Sequence, residues 1–386
     1  MQKKNDLIQL WKNKWKKGML LLPAALVMLT ASGCSSEVIE DVMVALDTDR
    51  THDEATCVSS DRYVHETLDE KQQLIYDEML QAIMNMKTDV RLSTTDVEDV
   101  KTCYRAICAD YGEIFWLENG TYEQMLWNDM KCAVHFKAEY AYTPEKVEEY
   151  KKEMQPVIDE YVERLEQCDS DYEKTEVLYR KLIKEVAYDM SAENNQNILS
   201  VFLGKETVCQ GYACATQYLL HQVGVPCAIV TGEADGEPHA WNLAELDGDY
   251  YYIDVTWGNA QFSGEGAEIA SGLDYSYLNV TGEELERTHQ SQVTFPLPTC
   301  DQKELNYFVK KGRYIDAWDA DTVGTMIRDY HKKGKESIAL KFADRALLEE
   351  AKHYLLDEEH ILDYCEDLNE IYYVIDTDMN IFRVYF

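Results

Sequence analysis

Apolar residues return along this 386-residue chain at two spacings, one helical and one alternating, and the balance between them changes twice. From Leu68 to about Lys87, the positions Leu74, Ile75, Met79, Leu80, Ile83 and Met84 share one helical face, and a second helix is expected over Asp96–Tyr111. Phe115-Trp116-Leu117 and Ala133-Val134-His135-Phe136 read as strands, so residues 61–142 are expected to form a small α+β domain. Thr143-Pro144-Glu145 offers an N-cap followed by proline at the first helical position, opening a long charged helix to about Cys168. Ser170-Asp171-Tyr172-Glu173 is a capping box for the next helix, which should run to about Val186. Residues 296–386 return to this mixture, with helices expected over Ala320–Lys333 and Arg345–Leu356 and a strand over Glu336–Phe342. A hairpin of Tyr372–Ile375 and Ile381–Phe386 completes a second accessory α+β domain. Its tip, Asp376-Thr377-Asp378-Met379-Asn380, superficially matches a calcium loop but lacks the glycine and closing glutamate, so a plain turn is expected. No internal repeat is visible.

The first 33 residues follow a different logic. A basic stretch ending at Lys16-Lys17 precedes the apolar run Met19–Leu29, and the small residues Ala31-Ser32-Gly33 lead to Cys34. Basic, apolar, then small is the order of a secretory signal peptide, and the apolar run is too short for a comfortable membrane span. The end of the segment resembles a bacterial lipobox, although the usual leucine three positions before the cysteine is Ala31. That resemblance implies a lipoprotein signal peptide over 1–33 and a lipidated Cys34, whose acyl chains (palmitate, for example) would hold the protein at the outer face of the cell membrane. Residues 34–60 then read as the anchor and a polar, aperiodic tether. No other segment approaches ~18 consecutive apolar residues.

Charge narrows the list of partners. The chain carries 37 basic and 72 acidic residues, a formal net of −35, while residues 1–33 are themselves basic. So acidic a body repels nucleic-acid phosphates, which need Lys or Arg for neutralisation, and nucleic acid is excluded as a partner. Eleven cysteines are present, none in a CxxC zinc or redox spacing, and the sequence leaves the pairing of all but Cys34 and Cys209 open. No nucleotide-binding loop, cofactor attachment motif or metal-ligand spacing of histidines appears, so neither cofactor nor metal is expected.

The central stretch, 187–295, is richer in Gly, Cys, Trp and aromatic strands, and it carries the candidate chemistry. After Cys209-Gln210-Gly211 the run Tyr212–Val223 has a helical pattern with Ala215, Tyr218, Leu219 and Val223 as its apolar stripe, closed by Gly224. Cys209 therefore starts a helix, where unpaired backbone N–H groups and the macrodipole favour a thiolate and can hold an oxyanion. Val225–Gly232 reads as a strand, Glu233–Pro238 as a polar loop, and His239-Ala240-Trp241-Asn242-Leu243 as a second strand. A turn at Asp247-Gly248-Asp249 leads into a third, Tyr250–Ile253, ending at Asp254. His239 and Asp254 thus sit at corresponding ends of neighbouring antiparallel strands, an arrangement in which a carboxylate can orient an imidazole that faces a thiol.

These residues, VCQGYA, HAWN and YYIDVTWG, resemble the transglutaminase-like superfamily, a papain-like cysteine fold. The resemblance spans about 187–260 and implies an α+β architecture, with a nucleophile-bearing helix on an antiparallel sheet inside a catalytic domain of 143–295. It implies Cys209 as nucleophile, His239 as base and Asp254 as orienting acid. Gln210, Tyr188 and Asp189 are expected to line the cleft, and Trp241 and Trp257 to wall a substrate channel. A cysteine enzyme acting on amide bonds through a thioester follows, and a surface protease or amidase leads because bacterial relatives are more often hydrolytic than cross-linking. Its partner would be a peptide or protein substrate, such as a cell-wall peptide. A glutamine cross-linking transglutaminase and a non-catalytic binding lipoprotein on the same fold stay open.

Overall fold

The computed structural model describes residues 62–127, 130–259, 273–365, 367–368 and 370–386. The expected signal peptide, Cys34 and the tether lie outside the described residues. The described chain begins with α1 (Tyr63–Thr67), α2 (Glu70–Met84), β1 (Asp89–Leu92), α3 (Val97–Asp110), β2 (Leu117–Trp127) and β3 (Met130–Tyr140). Two long helices follow, α4 (Pro144–Glu166) and α5 (Asp171–Glu185), then the short strands β4 (Ala187–Tyr188) and β5 (Glu206–Thr207). The centre holds α6 (Cys209–Gln222), β6 (Cys227–Ala234), β7 (Glu237–Leu246), β8 (Asp249–Ile253), β9 (Leu278–Val280), α7 (Gly282–Leu285) and β10 (His289–Ser291). The chain closes with α8 (Tyr307–Lys310), β11 (Tyr314–Ile315), α9 (Ala320–Lys332), β12 (Ser337–Phe342), α10 (Arg345–Lys352), β13 (Tyr372–Asp376) and β14 (Ile381–Tyr385). Mixed helices and largely antiparallel sheets, with parallel pairing only of β4 with β5 and of β11 with β12 among the described residues, make this an α+β protein. Among the described residues no helix is long and apolar enough to cross a membrane.

The described residues divide into two compact units. The first holds 68–105 and 117–141, where β1, β3 and β2 form an antiparallel sheet in that order. The second holds 62–67, 106–116 and 142–386. The expected 61–142 domain is therefore interrupted, and the reason is a buried polar lock. Asp110, fully buried, accepts the backbone N–H groups of Val64 (3.1 Å) and His65 (2.9 Å) on its carboxylate. Its carbonyl accepts the Gln217 amide at 2.6 Å, and Gln217 takes the Gly112 N–H at 2.9 Å. Buried polar groups must be paired, so these bonds commit 62–67 and 106–116 to the unit that contains α6. The same second unit takes in 296–386 as well, so no boundary falls at 296.

In that second unit the central sheet runs β10-β6-β7-β8-β9, antiparallel throughout. Glu233–Pro238 is a tight hairpin rather than the expected loop. β6 continues to Ala234, and Asp235 (φ 48°) and Gly236 (φ 80°) make the two-residue turn. Asp247 (φ 54°) and Gly248 (φ 90°) do the same between β7 and β8, positive φ at both positions being what the strand twist requires. Helix α6 is buried on most sides, including Tyr212, Ala213, Cys214, Thr216, Gln217 and Leu220, so a single apolar stripe understates it. Asn242 on β7 donates to the Ala213 carbonyl at 3.0 Å, tying helix to sheet. The caps of α4 and α5 are as expected, Thr143 and Ser170 accepting from Lys146 and Glu173. Glu173, however, returns its bond to the N–H of Asp169 rather than of Ser170.

The last ninety or so residues build the sheet β11-β12-β14-β13, covered by α9 and α10 around Val323, Ile327, Leu340, Leu348 and Phe382. Helix α10 ends at Lys352 and its continuation to Asp357 is a π-turn. Met379 and Ile381 share a second core with Trp241, Tyr252 and Phe308. Two ion pairs run between the same layers, Lys341 with Glu284 (2.9 Å) and Arg383 with Asp274 (2.8 Å).

Candidate active site

Cys209 is the first residue of α6, after Val208 in an extended N-cap conformation that makes no side-chain cap bond. The preceding strand holds it in place. Thr207, fully buried, hydrogen-bonds Ser200 (2.7 Å) and donates to the Asn195 carbonyl (3.2 Å). A Cβ on Gly211 would stand 1.9 Å from the Thr207 hydroxyl, so glycine there is what lets the helix begin this close to β5. The Cys209 side chain is half-buried, open enough to meet a substrate. Cys214 and Cys227 are buried instead, and desolvation pushes Cys214 up to about 12.

His239 lies in β7 and Asp254 directly follows β8, with Asn242 paired to Ile253 between these strands. Their side chains meet at 2.7 Å, His239 Nε2 donating to Asp254 Oδ2. The pair is buried, His239 7% exposed and Asp254 0%. Burial lowers the His239 pKa, but the charge and hydrogen bond of Asp254, followed by those of Cys209, override it and raise the value from 6.5 to about 10. The imidazolium is therefore the favoured form at neutral pH. Burial also works against the Asp254 carboxylate, and His239 and His289 outweigh it, holding that group well below the usual carboxylate range. Because Nε2 is committed to Asp254, Nδ1 is the nitrogen left for the thiol. A half-buried thiol at a helix start, an imidazole and a buried orienting carboxylate have the arrangement of a nucleophile–base–orienter set.

The expected cleft residues separate into three fates. Tyr188 stays beside Cys209, its phenol raised by burial and by that neighbour. Gln210 turns along the helix, its amide 3.3 Å from the Cys214 sulfur, and Asp189 caps a local turn at Ser191. Trp241 does not wall a channel. It is 1% exposed and stacks against His239 from within the core, with ring centroids 5.9 Å apart. Trp257 is half-buried, 6.2 Å from the His239 ring.

His289 was not expected. It opens β10 at the sheet edge, and its Nε2 lies 3.0 Å from the same Asp254 oxygen that His239 uses. No spacing in the sequence marks it, since it reaches the site only through the pairing of β10 with β6. Among the described residues, His239, Asp254 and His289 offer three candidate ligand atoms within 4.8 Å of one another. At 2.7 and 3.0 Å the set is joined by hydrogen bonds.

Residues 159–255 match the model of the transglutaminase-like superfamily core, so this segment carries a transglutaminase-like core domain. Among known relatives it is similar to kyphoscoliosis peptidase, at 25% identity over 112 residues for Mus musculus and 25% over 120 residues for Homo sapiens. Those matches cover 25% and 26% of this chain and 17% and 18% of the relatives, so the chain spans under a fifth of their length. Among solved structures, the periplasmic domain of TgpA from Pseudomonas aeruginosa is similar at 16% identity, over 39% of this chain and 66% of that one, with a TM-score of 0.24.

Proposed function

We propose that this protein is a cysteine hydrolase that cleaves amide bonds of peptides or proteins, held at the outer face of the cell membrane by a lipid on Cys34. The observation that carries the catalytic part is the buried 2.7 Å His239–Asp254 pair, whose imidazolium is stabilised jointly by Asp254 and Cys209. In the first half-reaction the Cys209 thiolate attacks the carbonyl carbon, and backbone N–H groups at the start of α6 hold the oxyanion. The tetrahedral species collapses as His239 gives its Nδ1 proton to the departing nitrogen, leaving a thioester and a free amine. Water then attacks the thioester, His239 taking its proton, and the acid and thiol are released. The membrane part rests on the basic, apolar, small-residue order that ends at Cys34.

The test is alkylation of each cysteine by iodoacetamide as a function of pH, read by mass spectrometry on the full chain and on His239→Ala. Cys209 is expected to react at pH well below the free-thiol range near ~8.5, and His239→Ala to abolish that advantage. Reaction of Cys209 in step with its neighbours in both proteins would sink the reading. Peptide libraries with and without added amine then separate hydrolysis from cross-linking, and mass analysis of the mature N-terminus tests the lipid.

A further inference from the structure

We infer that His289 is a positioning residue of this site, the second donor on the Asp254 carboxylate, holding that acid ionised and aimed so that His239 faces Cys209. The inference rests on the catalytic reading above and adds a residue outside the family-matched segment 159–255.

The argument starts from the carboxylate. Asp254 is fully buried, and a buried carboxylate persists only when its lone pairs are satisfied. It accepts the Trp257 N–H on Oδ1 at 3.1 Å, and His239 and His289 on Oδ2 at 2.7 and 3.0 Å. An ionised carboxylate only accepts, so both imidazoles present Nε2–H to it. The other nitrogen of His289 meets the Thr288 hydroxyl at 2.8 Å, which fixes the ring at both ends. Aromatic walls fix its plane, with Trp257, Trp241 and Tyr277 at centroid distances of 4.8, 5.0 and 5.5 Å. The strand is held close as well. A Cβ on Gly232 of β6 would lie 2.1 Å from the Gln290 carbonyl, so β10 could not approach this far past a larger residue. Among the described residues, the phenols of Tyr179 and Tyr277 also face Asp254, and burial raises both and keeps them neutral.

His289→Phe keeps an aromatic ring in the box and removes the donor, whereas His289→Gln supplies an amide N–H in its place. With one donor fewer the buried Asp254 takes up a proton more readily, and a protonated Asp254 no longer supports the imidazolium. The acid limb of Cys209 alkylation by iodoacetamide should therefore move up by about one pH unit in full-chain His289→Phe, a tenfold loss of rate on that limb. His289→Gln should stay within about twofold of the original protein. A His289→Phe profile that matches the original, or a folded His289→Gln as impaired as His289→Phe, overturns the inference. Independently of any variant, nitrogen-15 NMR of the unsubstituted chain should place a hydrogen on His289 Nε2, and an Nε2 without one overturns it too. If the unsubstituted protein shows no acid limb at all, the catalytic reading fails first, and the two failures are told apart.

Discussion

Asp254→Asn is the substitution that most directly questions the site, because it keeps the shape of the side chain and removes its charge. The rise of His239 from 6.5 to about 10 corresponds to about 5 kcal/mol of preference for the imidazolium. Asp254 leads the groups that raise it and Cys209 supplies the rest, while burial pulls the other way. An asparagine accepts the Trp257 N–H through its oxygen and turns its NH2 toward the two histidines. His239 must then accept at Nε2 and carry its proton on Nδ1, the tautomer that cannot take a proton from the thiol. Without the carboxylate, burial dominates and the His239 midpoint should fall by at least about two pH units, with peptide turnover lower by about a thousandfold or more. Histidine-selective NMR titration of the full chain reads the midpoint directly and needs no substrate, and near-ultraviolet circular dichroism checks the fold. If His239 of a folded Asp254→Asn protein still titrates near pH 10, Asp254 is not what holds the imidazolium and the assignment of its role collapses.

Two other outcomes concern stability. Gln217→Leu strips the buried Gly112 N–H of its acceptor and the Asp110 carbonyl of one donor, so urea unfolding should show a loss of about 2–4 kcal/mol, with Gly112 losing amide-exchange protection. A loss under 0.5 kcal/mol would mean that these bonds do not hold 106–116 in place. The raised His239 contributes stability that is fully present below its unfolded value of 6.5 and declines as pH climbs through about 10. Between pH 7 and 10.5 the original protein should therefore lose more unfolding free energy than His239→Gln, and equal losses would contradict the assignment.

Much of this protein is legible in the sequence because it is written locally. Thr143 and Ser170 announce helix starts by residue type, Gly224 announces a stop, and Asp247-Gly248 announces a hairpin, since each meets a backbone requirement within a few residues of itself. The Cys209, His239 and Asp254 segments belong to the same class, for each is a short motif at the end of a predicted helix or strand. What the sequence left undecided depends on contacts made across many residues. Trp241 has the composition of a channel wall, and only the layering of β12 and β14 over the sheet turns it into a buried support for His239. The interruption of the first unit follows from Asp110 and Gln217 meeting 107 positions apart, where no periodicity can register the bond. His289 stands 35 residues beyond Asp254 on a three-residue strand, a length at which pattern carries almost no information. Its place is decided by which edge β10 joins and by a glycine that lets it come close. Local backbone chemistry set the elements and the identity of the candidate groups Cys209, His239 and Asp254, and the packing of distant strands selected which buried donors surround them.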